Sequence, residues 1–197
     1  MTPSERGASY PPAMRSIHWI SALLLLGTYL AAWSIDNATN AADAAWMVML
    51  HRSCGITILG LTLLRLVLRR CGTIPPLPAD MPALQRRAAR ATAAAFYALL
   101  IAQPLLGLAA SMLHGDRILV FGGVLVPNLL SPDRPLARQV FHLHGLAATL
   151  LLVLIGLHVA AALFHHVIRR DEVLSSMLPA MRRLSVRTER PSGRAPR

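Results

Sequence analysis

Four long apolar runs constrain this chain more than any other feature of its sequence. Each run has about 19–23 residues, which is enough to cross roughly 30 Å of hydrocarbon at about 1.5 Å per residue. A soluble domain of 197 residues would show amphipathic stripes and shorter runs instead. The runs are Ile17–Ile35, Met47–Leu68, Ala91–Leu113 and Leu146–Ile168. The sequence therefore predicts an all-α integral membrane protein built as one four-helix bundle.

We place the transmembrane domain at residues 17–170, between a polar N-terminal tail (1–16) and a basic C-terminal tail (171–197). The first apolar run follows arginines, as a signal peptide does, but it exceeds the apolar core of about 7–15 residues that signal peptides have. It also begins with a histidine, so we expect a retained helix. Cys54 and Cys71 are separated by about 25 Å of helix, so we expect two unpaired thiols.

The basic residues indicate how the helices are oriented. All twenty are arginines, and sixteen lie in the two tails and in the second connection with its helix ends, which four spans place on one side. The other side has only Arg52, Arg117, Arg134 and Arg138. The positive-inside rule therefore predicts both termini in the cytoplasm. The net charge of +11 is explained by topology and by attraction to anionic lipid headgroups, and we predict no binding of nucleic acid.

Four histidines fall at two matched depths. His144 and His158 are fourteen residues apart, a rotation only about 40° short of four full turns, so they share a face about 21 Å apart along the axis. His51 opens the second run at the outer level, and His18 opens the first run at the inner level. Ionisable residues within a membrane are rare and usually functional. The pairs His51/His144 and His18/His158 have the arrangement that ligates a haem iron axially, one iron at each level.

The other histidines are interpreted differently. His142 points away from the face of His144 and is expected to be a polar residue at the end of a loop. His165 lies only about 20° from the face of His158 and could compete for the inner role. Because it lies about 10 Å nearer the cytoplasm, we interpret His165 and His166 as interfacial residues at a helix end. We assign no role to His114 or to the connection 114–141, which glycines and prolines break and which we expect to lie over the outer ends of the bundle.

Two arginines are candidate partners of a bound carboxylate. Arg65 follows His51 by fourteen residues, so it reaches the inner level on nearly the same face. Arg52 directly follows His51. Arginine binds carboxylates through two hydrogen bonds, and we expect Arg65 to pair with an inner haem propionate and Arg52 with an outer one. Extension of either side chain to a lipid phosphate is the alternative.

The sequence resembles the bacterial cytochrome b561 family over about residues 14–180. The resembling motifs are "SIHW" at Ser16–Trp19, "LHRSCGITIL" at Leu50–Leu59, "RLVLR" at Arg65–Arg69, "HGLAATLLLVLIGLH" at His144–His158 and "AAALFHH" at Ala160–His166. The resemblance implies two non-covalent b haems ligated by His18, His51, His144 and His158, a location in the bacterial inner membrane, and ubiquinone as an exchangeable substrate. It also implies a partner: some relatives are haem subunits of larger oxidoreductases such as hydrogenases, and at least one oxidises superoxide.

We therefore expect transmembrane electron transfer between a periplasmic-side donor, for which superoxide is one candidate, and the membrane quinone pool. The chain would then be a superoxide:quinone oxidoreductase or an electron carrier. The alternative is a haem-bearing membrane anchor for a larger oxidoreductase such as a hydrogenase. A metal transporter is disfavoured, because the apolar runs contain no Asp or Glu. The sequence assigns neither the donor, the direction of flow, the quinone site nor the oligomeric state.

Overall fold

The computed structural model describes residues 10–72, 81–171 and 173–178. It contains four long helices, α1 (Pro12–Asp36), α2 (Ala41–Cys71), α3 (Ala83–His114) and α4 (Arg134–Phe164). A π-helical turn, His165–Arg169, continues α4, and a 3₁₀ turn, Ser175–Met177, follows it. An antiparallel hairpin of β1 (Ile118–Val120) and β2 (Val124–Val126) joins α3 to α4. All four helices are long and apolar enough to cross a membrane, which confirms the predicted all-α bundle.

All four helices begin earlier than the apolar runs, and polar side chains cap the first turns of α2 and α4. The side chain of Asn40 accepts a hydrogen bond from the backbone N–H of Asp43 (2.9 Å) at the start of α2. Asp133 caps α4 in the same way, and a proline lies in the first turn, where its missing N–H costs nothing. α1 starts at Pro12, inside the predicted tail 1–16, with a proline and no capping side chain at its N-terminus.

The early start of α4 corrects two expectations. The third connection ends at residue 133, eight residues before the predicted end at 141. His142 is therefore an exposed residue within α4 and does not lie at the end of a loop. Hydropathy marks only the part of a helix that lies in hydrocarbon, so it does not identify the polar first turns of α4.

Two ends of the bundle can be distinguished. The "hairpin end" carries the β-hairpin, where α1 and α3 finish and α2 and α4 begin; the "terminal end" carries the start of α1 and the end of α4. α1 packs on α2, α2 on α3, and α3 on α4, whereas the backbones of α1 and α4, and of α2 and α4, come within 8 Å at few positions. α1 and α4 are linked near their middle by the Tyr29 hydroxyl, which donates to the carbonyl of Ala148 (2.7 Å).

The hairpin forms the best-buried part of the structure. Ile118 and Val120 are 1% and 2% exposed, and they pack with Met112 at the end of α3. The hydroxyl of Ser53 in α2 accepts a hydrogen bond from the backbone N–H of Phe121 (2.8 Å). The hairpin thus lies over one end of the bundle, as predicted for this connection. Its strands were not predicted, because three residues are too few to establish a two-residue period.

The chain beyond α4 folds back onto the terminal end. Residues 173–178 are half-buried, and the carbonyl of Met177 accepts a hydrogen bond from the indole of Trp19 in α1 (3.0 Å). The predicted tail 171–197 therefore begins as a segment that contacts the bundle, and its remainder lies outside the described residues. Cys54 and Cys71 are both free, as predicted.

Truncation of a buried side chain in the hairpin should destabilise the protein. Val120 and Val124 are paired across the hairpin, but Val120 is buried and Val124 is 57% exposed. We expect Val120→Ala to lower the free energy of unfolding by about 1.5–3 kcal/mol, because it removes two buried methyl groups and leaves a cavity. Thermal unfolding in detergent should show a midpoint lower by about 5 °C. The matched control, Val124→Ala, should unfold like the wild type, and equal effects of the two changes would show that the hairpin is not packed as described.

Candidate functional site

The bundle brings the four predicted histidines together as two pairs. The ring centres of His18 on α1 and His158 on α4 are 6.2 Å apart, with an angle of 71° between the ring planes. The ring centres of His51 on α2 and His144 on α4 are 6.1 Å apart, also at 71°. The first pair lies toward the terminal end and the second toward the hairpin end. The pairs join α1 to α4 and α2 to α4, the helix combinations whose backbones stay apart.

In each pair, the distance between the ring centres is the one expected for two imidazoles that bind the same metal ion. An imidazole nitrogen binds a first-row metal at about 2 Å, so two rings on opposite sides of the ion have centres about 6 Å apart. In the described part of the chain, no three His, Cys, Asp or Glu side chains gather into a metal-binding group. Two imidazoles alone suit an iron whose other four ligands come from a porphyrin. The donor set at both levels therefore fits a b haem.

At the hairpin end, backbone carbonyls fix both imidazoles. Nδ1 of His51 lies 3.1 Å from the carbonyl oxygen of Thr28, and Nδ1 of His144 lies 3.0 Å from that of Gln103. A carbonyl can only accept, so each Nδ1 carries the proton and each Nε2 keeps its lone pair. A metal-binding histidine needs this tautomer, and the donated hydrogen bond makes the ring a stronger ligand.

Two residues of α3, which the sequence analysis missed, contact His144 and hold it in position. The amide of Gln103 donates to the carbonyl of His144 (3.0 Å), while the buried Oε1 of Gln103 has no partner. A Cβ on Gly107 would lie 2.9 Å from Cε1 of His144, so the imidazole rests directly on the α3 backbone. Both residues were recognisable in principle, because Gln103 is a polar side chain within an apolar run and Gly107 follows it by one turn.

At the terminal end, the partner of the histidine on α1 is an arginine side chain and not a backbone carbonyl. Nη1 of Arg65 lies 3.1 Å from Nδ1 of His18, and since a guanidinium can only donate, this nitrogen of His18 is the acceptor. The Nε of Arg65 is buried without a hydrogen-bond partner. The ring centres of Phe96 and His158 are 5.3 Å apart, as are those of Trp19 and His18, and in both pairs the ring planes are steeply inclined to each other. Arg65 therefore reaches the predicted level and still has an N–H to donate.

Every helix contributes to each level. At the hairpin end, α1 supports the histidine of α2 and α3 supports that of α4, through Thr28 and Gln103. At the terminal end, α2 supports the histidine of α1 and α3 contacts that of α4, through Arg65 and Phe96. The two levels are thus alike in plan but differ in their cations, because Arg65 contacts His18 directly whereas Arg52, next to His51, is paired with Asp116.

The remaining candidates have other partners. Arg52 forms a salt bridge with Asp116 and donates to the hydroxyl of Ser111 (3.0 Å), so its role toward a propionate stays a prediction. His114 shares Asp116, with Nδ1 2.7 Å from the carboxylate. His165 lies beyond the terminal pair and binds Asp171.

Comparison with known proteins gives consistent similarities. The family model of prokaryotic cytochrome b561 matches residues 9–180, a region that contains all four paired histidines. A Yersinia pestis protein named "Probable superoxide oxidase CybB" is 34% identical over 170 residues, covering 84% of this chain and 93% of that protein. "Cytochrome b561 homolog 1" of Escherichia coli (strain K12) is 30% identical over 165 residues, covering 83% of this chain and 93% of its own. "Cytochrome b561 homolog 2" of the same strain is 33% identical over 165 residues, covering 83% and 87%.

The contact between Gly107 and His144 gives a test of the hairpin-end level. We expect Gly107→Ala to push the imidazole off the α3 backbone and to lengthen its bond to Gln103, so the unfolding midpoint in detergent should fall by several degrees. Gly60→Ala on α2 is the matched control, because a Cβ there has nothing within 4 Å and alanine favours a helix. That variant should be as stable as the wild type or more stable. An equally stable Gly107→Ala protein would contradict the close approach.

Proposed function

We infer, because this chain belongs to the prokaryotic cytochrome b561 family, that each of its two imidazole pairs holds one b haem. Membership makes the chain a haem b-binding, multi-pass cytochrome of a bacterial membrane that transfers electrons. The observation that carries the proposal of two haems is the pairing of four intramembrane imidazoles at ring separations of 6.1 and 6.2 Å. Because His144 and His158 lie on the same helix, the levels are about 21 Å apart along its axis.

The residues around the two pairs favour electron flow from the hairpin end to the terminal end. Haem supplies the one-electron chemistry of its iron when it is bound. The carbonyls of Thr28 and Gln103 accept hydrogen bonds from Nδ1 of the hairpin-end imidazoles, which would strengthen these rings as electron donors to a bound iron and favour its oxidised state. The positive charge of Arg65 favours the reduced state at the terminal end. On this basis we propose that electrons move toward the level of Arg65.

Ligation by His18 requires Arg65 to change its partner. A neutral imidazole that binds metal through Nε2 keeps its proton on Nδ1, so the guanidinium cannot donate to Nδ1 at the same time. A propionate would give both Nη1 and the unpartnered Nε of Arg65 an acceptor. This need supports Arg65 as the propionate partner at the terminal end. Arg52 has a protein carboxylate, Asp116, and is the weaker of the two candidates.

The distribution of arginines supports a periplasmic donor. With both termini in the cytoplasm, the hairpin end faces the periplasm and the terminal end faces the cytoplasm. Three exposed arginines stand at the hairpin end: Arg117, Arg134 and Arg138. They would attract an anionic one-electron donor, and the name of the Yersinia relative points to superoxide. We propose that superoxide gives its electron at the hairpin end and that the membrane quinone pool is the acceptor.

The experiment that tests this proposal counts haems in histidine variants. We expect a reduced-minus-oxidised spectrum of the purified protein to show two b haems per chain, and each His→Ala change at residues 18, 51, 144 and 158 to remove one of them. His142→Ala is the control, because this histidine is exposed and two residues from His144. A protein without haem, or one haem that survives the loss of both His18 and His158, would refute the two-level arrangement.

Activity of the isolated chain separates the two functional candidates. An oxidoreductase reduces a quinone when it is supplied with superoxide and no other protein. A haem-bearing anchor subunit would do so only together with its partner. Strict dependence on a co-purifying subunit would therefore replace our proposal by the anchor.

Removal of the positive charge of Arg65 should change the reduction potential of the terminal-end haem. We expect Arg65→Leu to lower the potential of the terminal-end haem by an amount on the order of 50–100 mV, since 59 mV corresponds to about 1.4 kcal/mol for one electron. Arg65→Lys should restore part of the difference, because the charge stays while the paired donors are lost. A spectroelectrochemical titration measures both haems, and the hairpin-end potential is the internal reference. An unchanged terminal potential would exclude Arg65 from this level.

Steering of an anion should depend on salt. We expect the rate of haem reduction by superoxide to fall as ionic strength rises, because counterions screen the exposed arginines at the hairpin end. Replacement of Arg117, Arg134 and Arg138 by Gln should lower the rate at low salt and weaken its salt dependence. Reduction by a neutral reductant is the control. A rate independent of salt in the wild type would contradict steering.

A further inference from the structure

The β-hairpin packs against the side of α2, well inside the end of that helix. The backbone N–H of Phe121, at the hairpin turn, donates to the hydroxyl of Ser53 (2.8 Å), and α2 begins twelve residues before Ser53, at Ala41. Ile56, three residues further along α2, packs against the buried cluster to which β1 belongs. At 1.5 Å per residue, the hairpin turn therefore lies about 18 Å along the axis from the start of α2.

Two exposed tryptophans mark the membrane boundary at the hairpin end. Trp33 lies three residues before the end of α1, Trp46 lies five residues after the start of α2, and both side chains are more than half exposed. Tryptophan concentrates where lipid headgroups meet hydrocarbon. Ser53 lies seven residues from Trp46, which is about 10 Å toward the middle of the bundle. The hairpin turn is therefore on the hydrocarbon side of the tryptophans.

The outer surface of the hairpin and of the chain that follows it is apolar. No charged residue occurs between Arg117 and Asp133. A contiguous exposed apolar surface marks a site of contact with a membrane or with another protein. Five large apolar side chains are exposed here: Phe121, Val124, Leu125, Leu129 and Leu130.

The turn holds an aromatic residue in a costly backbone conformation. Phe121 has a φ of 50°, in the left-handed region that bulky residues rarely adopt, and its side chain is more than half exposed. Such a conformation persists only where other interactions offset its cost. In water an exposed phenylalanine gains nothing that would do so, whereas removal of its ring from water into lipid is favourable.

The backbone of the hairpin suits the boundary of a bilayer. β1 and β2 pair with each other, the N–H of Gly123 donates to the carbonyl of Val120 (3.1 Å), and Ser53 accepts the N–H of Phe121. The outer edges of two strands still need polar partners, which the middle of a bilayer does not offer. The hairpin is therefore expected at the border of the hydrocarbon, with its apolar side chains directed into it.

We propose that the hairpin, residues 118–126, is embedded in the lipid leaflet at the hairpin end, where Phe121 and Leu125 contact acyl chains. Lipid is the partner of this surface, because the hairpin turn lies on the hydrocarbon side of Trp33 and Trp46 and a soluble protein would not reach that depth. The hairpin then holds the chain between α3 and α4 in the membrane as well as on α2. This inference depends neither on haem nor on the electron donor.

Reaction of single cysteines with a maleimide tests the position of the hairpin. The full-length protein carries Cys54→Ser and Cys71→Ser, so that no native thiol reacts. It is placed in lipid nanodiscs that hold one chain each, so that only lipid can cover its surface. The two hairpin variants are Phe121→Cys and Leu125→Cys, and an uncharged polyethylene glycol maleimide reports the reaction as a shift on a gel.

Two further variants calibrate the reaction. Thr39→Cys, in the exposed connection between α1 and α2, is the control in water, and Leu26→Cys, at an exposed position midway along α1, is the control in lipid. We expect both hairpin cysteines to react about tenfold more slowly than Thr39→Cys, or slower still, because the reactive thiolate is disfavoured in apolar surroundings. Their rates should approach that of Leu26→Cys. After unfolding in dodecyl sulfate, all four should react alike.

The two hairpin positions keep the proposal falsifiable. A wild-type unfolding midpoint shows that a variant is folded, and if one hairpin variant does not fold, the other still decides. A folded hairpin cysteine that reacts as fast as Thr39→Cys would place the hairpin in water and overturn the proposal. The apolar surface would then require a protein partner, since lipid would not cover it.

Discussion

An imidazole in a membrane needs a partner from another helix, and the rest of this bundle follows from that need. Within each helix the backbone satisfies itself, so a ring nitrogen in hydrocarbon finds a partner only where a neighbouring helix presents one. His51 finds the carbonyl of Thr28, His144 finds that of Gln103, and His18 finds the guanidinium of Arg65. These contacts join α1 to α2 and α3 to α4 at the depths of the two histidine pairs. The pairs across the bundle, 6.1 and 6.2 Å apart, are the result.

The same contacts make the two levels chemically different. Carbonyl acceptors enrich the hairpin-end imidazoles in electron density, whereas a cation lies against the terminal-end pair. A chain with two equivalent haems would give electrons no preferred direction. We propose that this asymmetry favours electron transfer toward the terminal end. The exposed arginines at the hairpin end suit the anionic donor that we propose.

Much of this architecture could be predicted from the sequence, because it depends on simple periodicities. Four apolar runs predicted four helices, and the spacing of fourteen residues between His144 and His158 predicted one face with two levels.

The predictions failed where contacts between particular side chains determine the structure. Caps at Asn40 and Asp133 extended two helices beyond their apolar runs, and the hairpin strands were too short to show a period. Gln103 and Gly107 were missed because their importance comes from the ring of His144, which is 37 or more residues away along the chain. The contact between His165 and Asp171 required a return of the chain that helical spacing does not describe.

Our central proposal is that each pair of imidazoles, with ring planes 71° apart, would hold one haem iron. Low-temperature electron paramagnetic resonance of the oxidised, haem-loaded protein tests it directly, since the relative orientation of axial imidazole planes governs the anisotropy of low-spin ferric haem. The account predicts two low-spin signals, both of the highly anisotropic kind that nearly perpendicular imidazoles produce, and together equal to two haems per chain. A high-spin signal in the intact protein, or a single low-spin signal that accounts for all the iron, would contradict it.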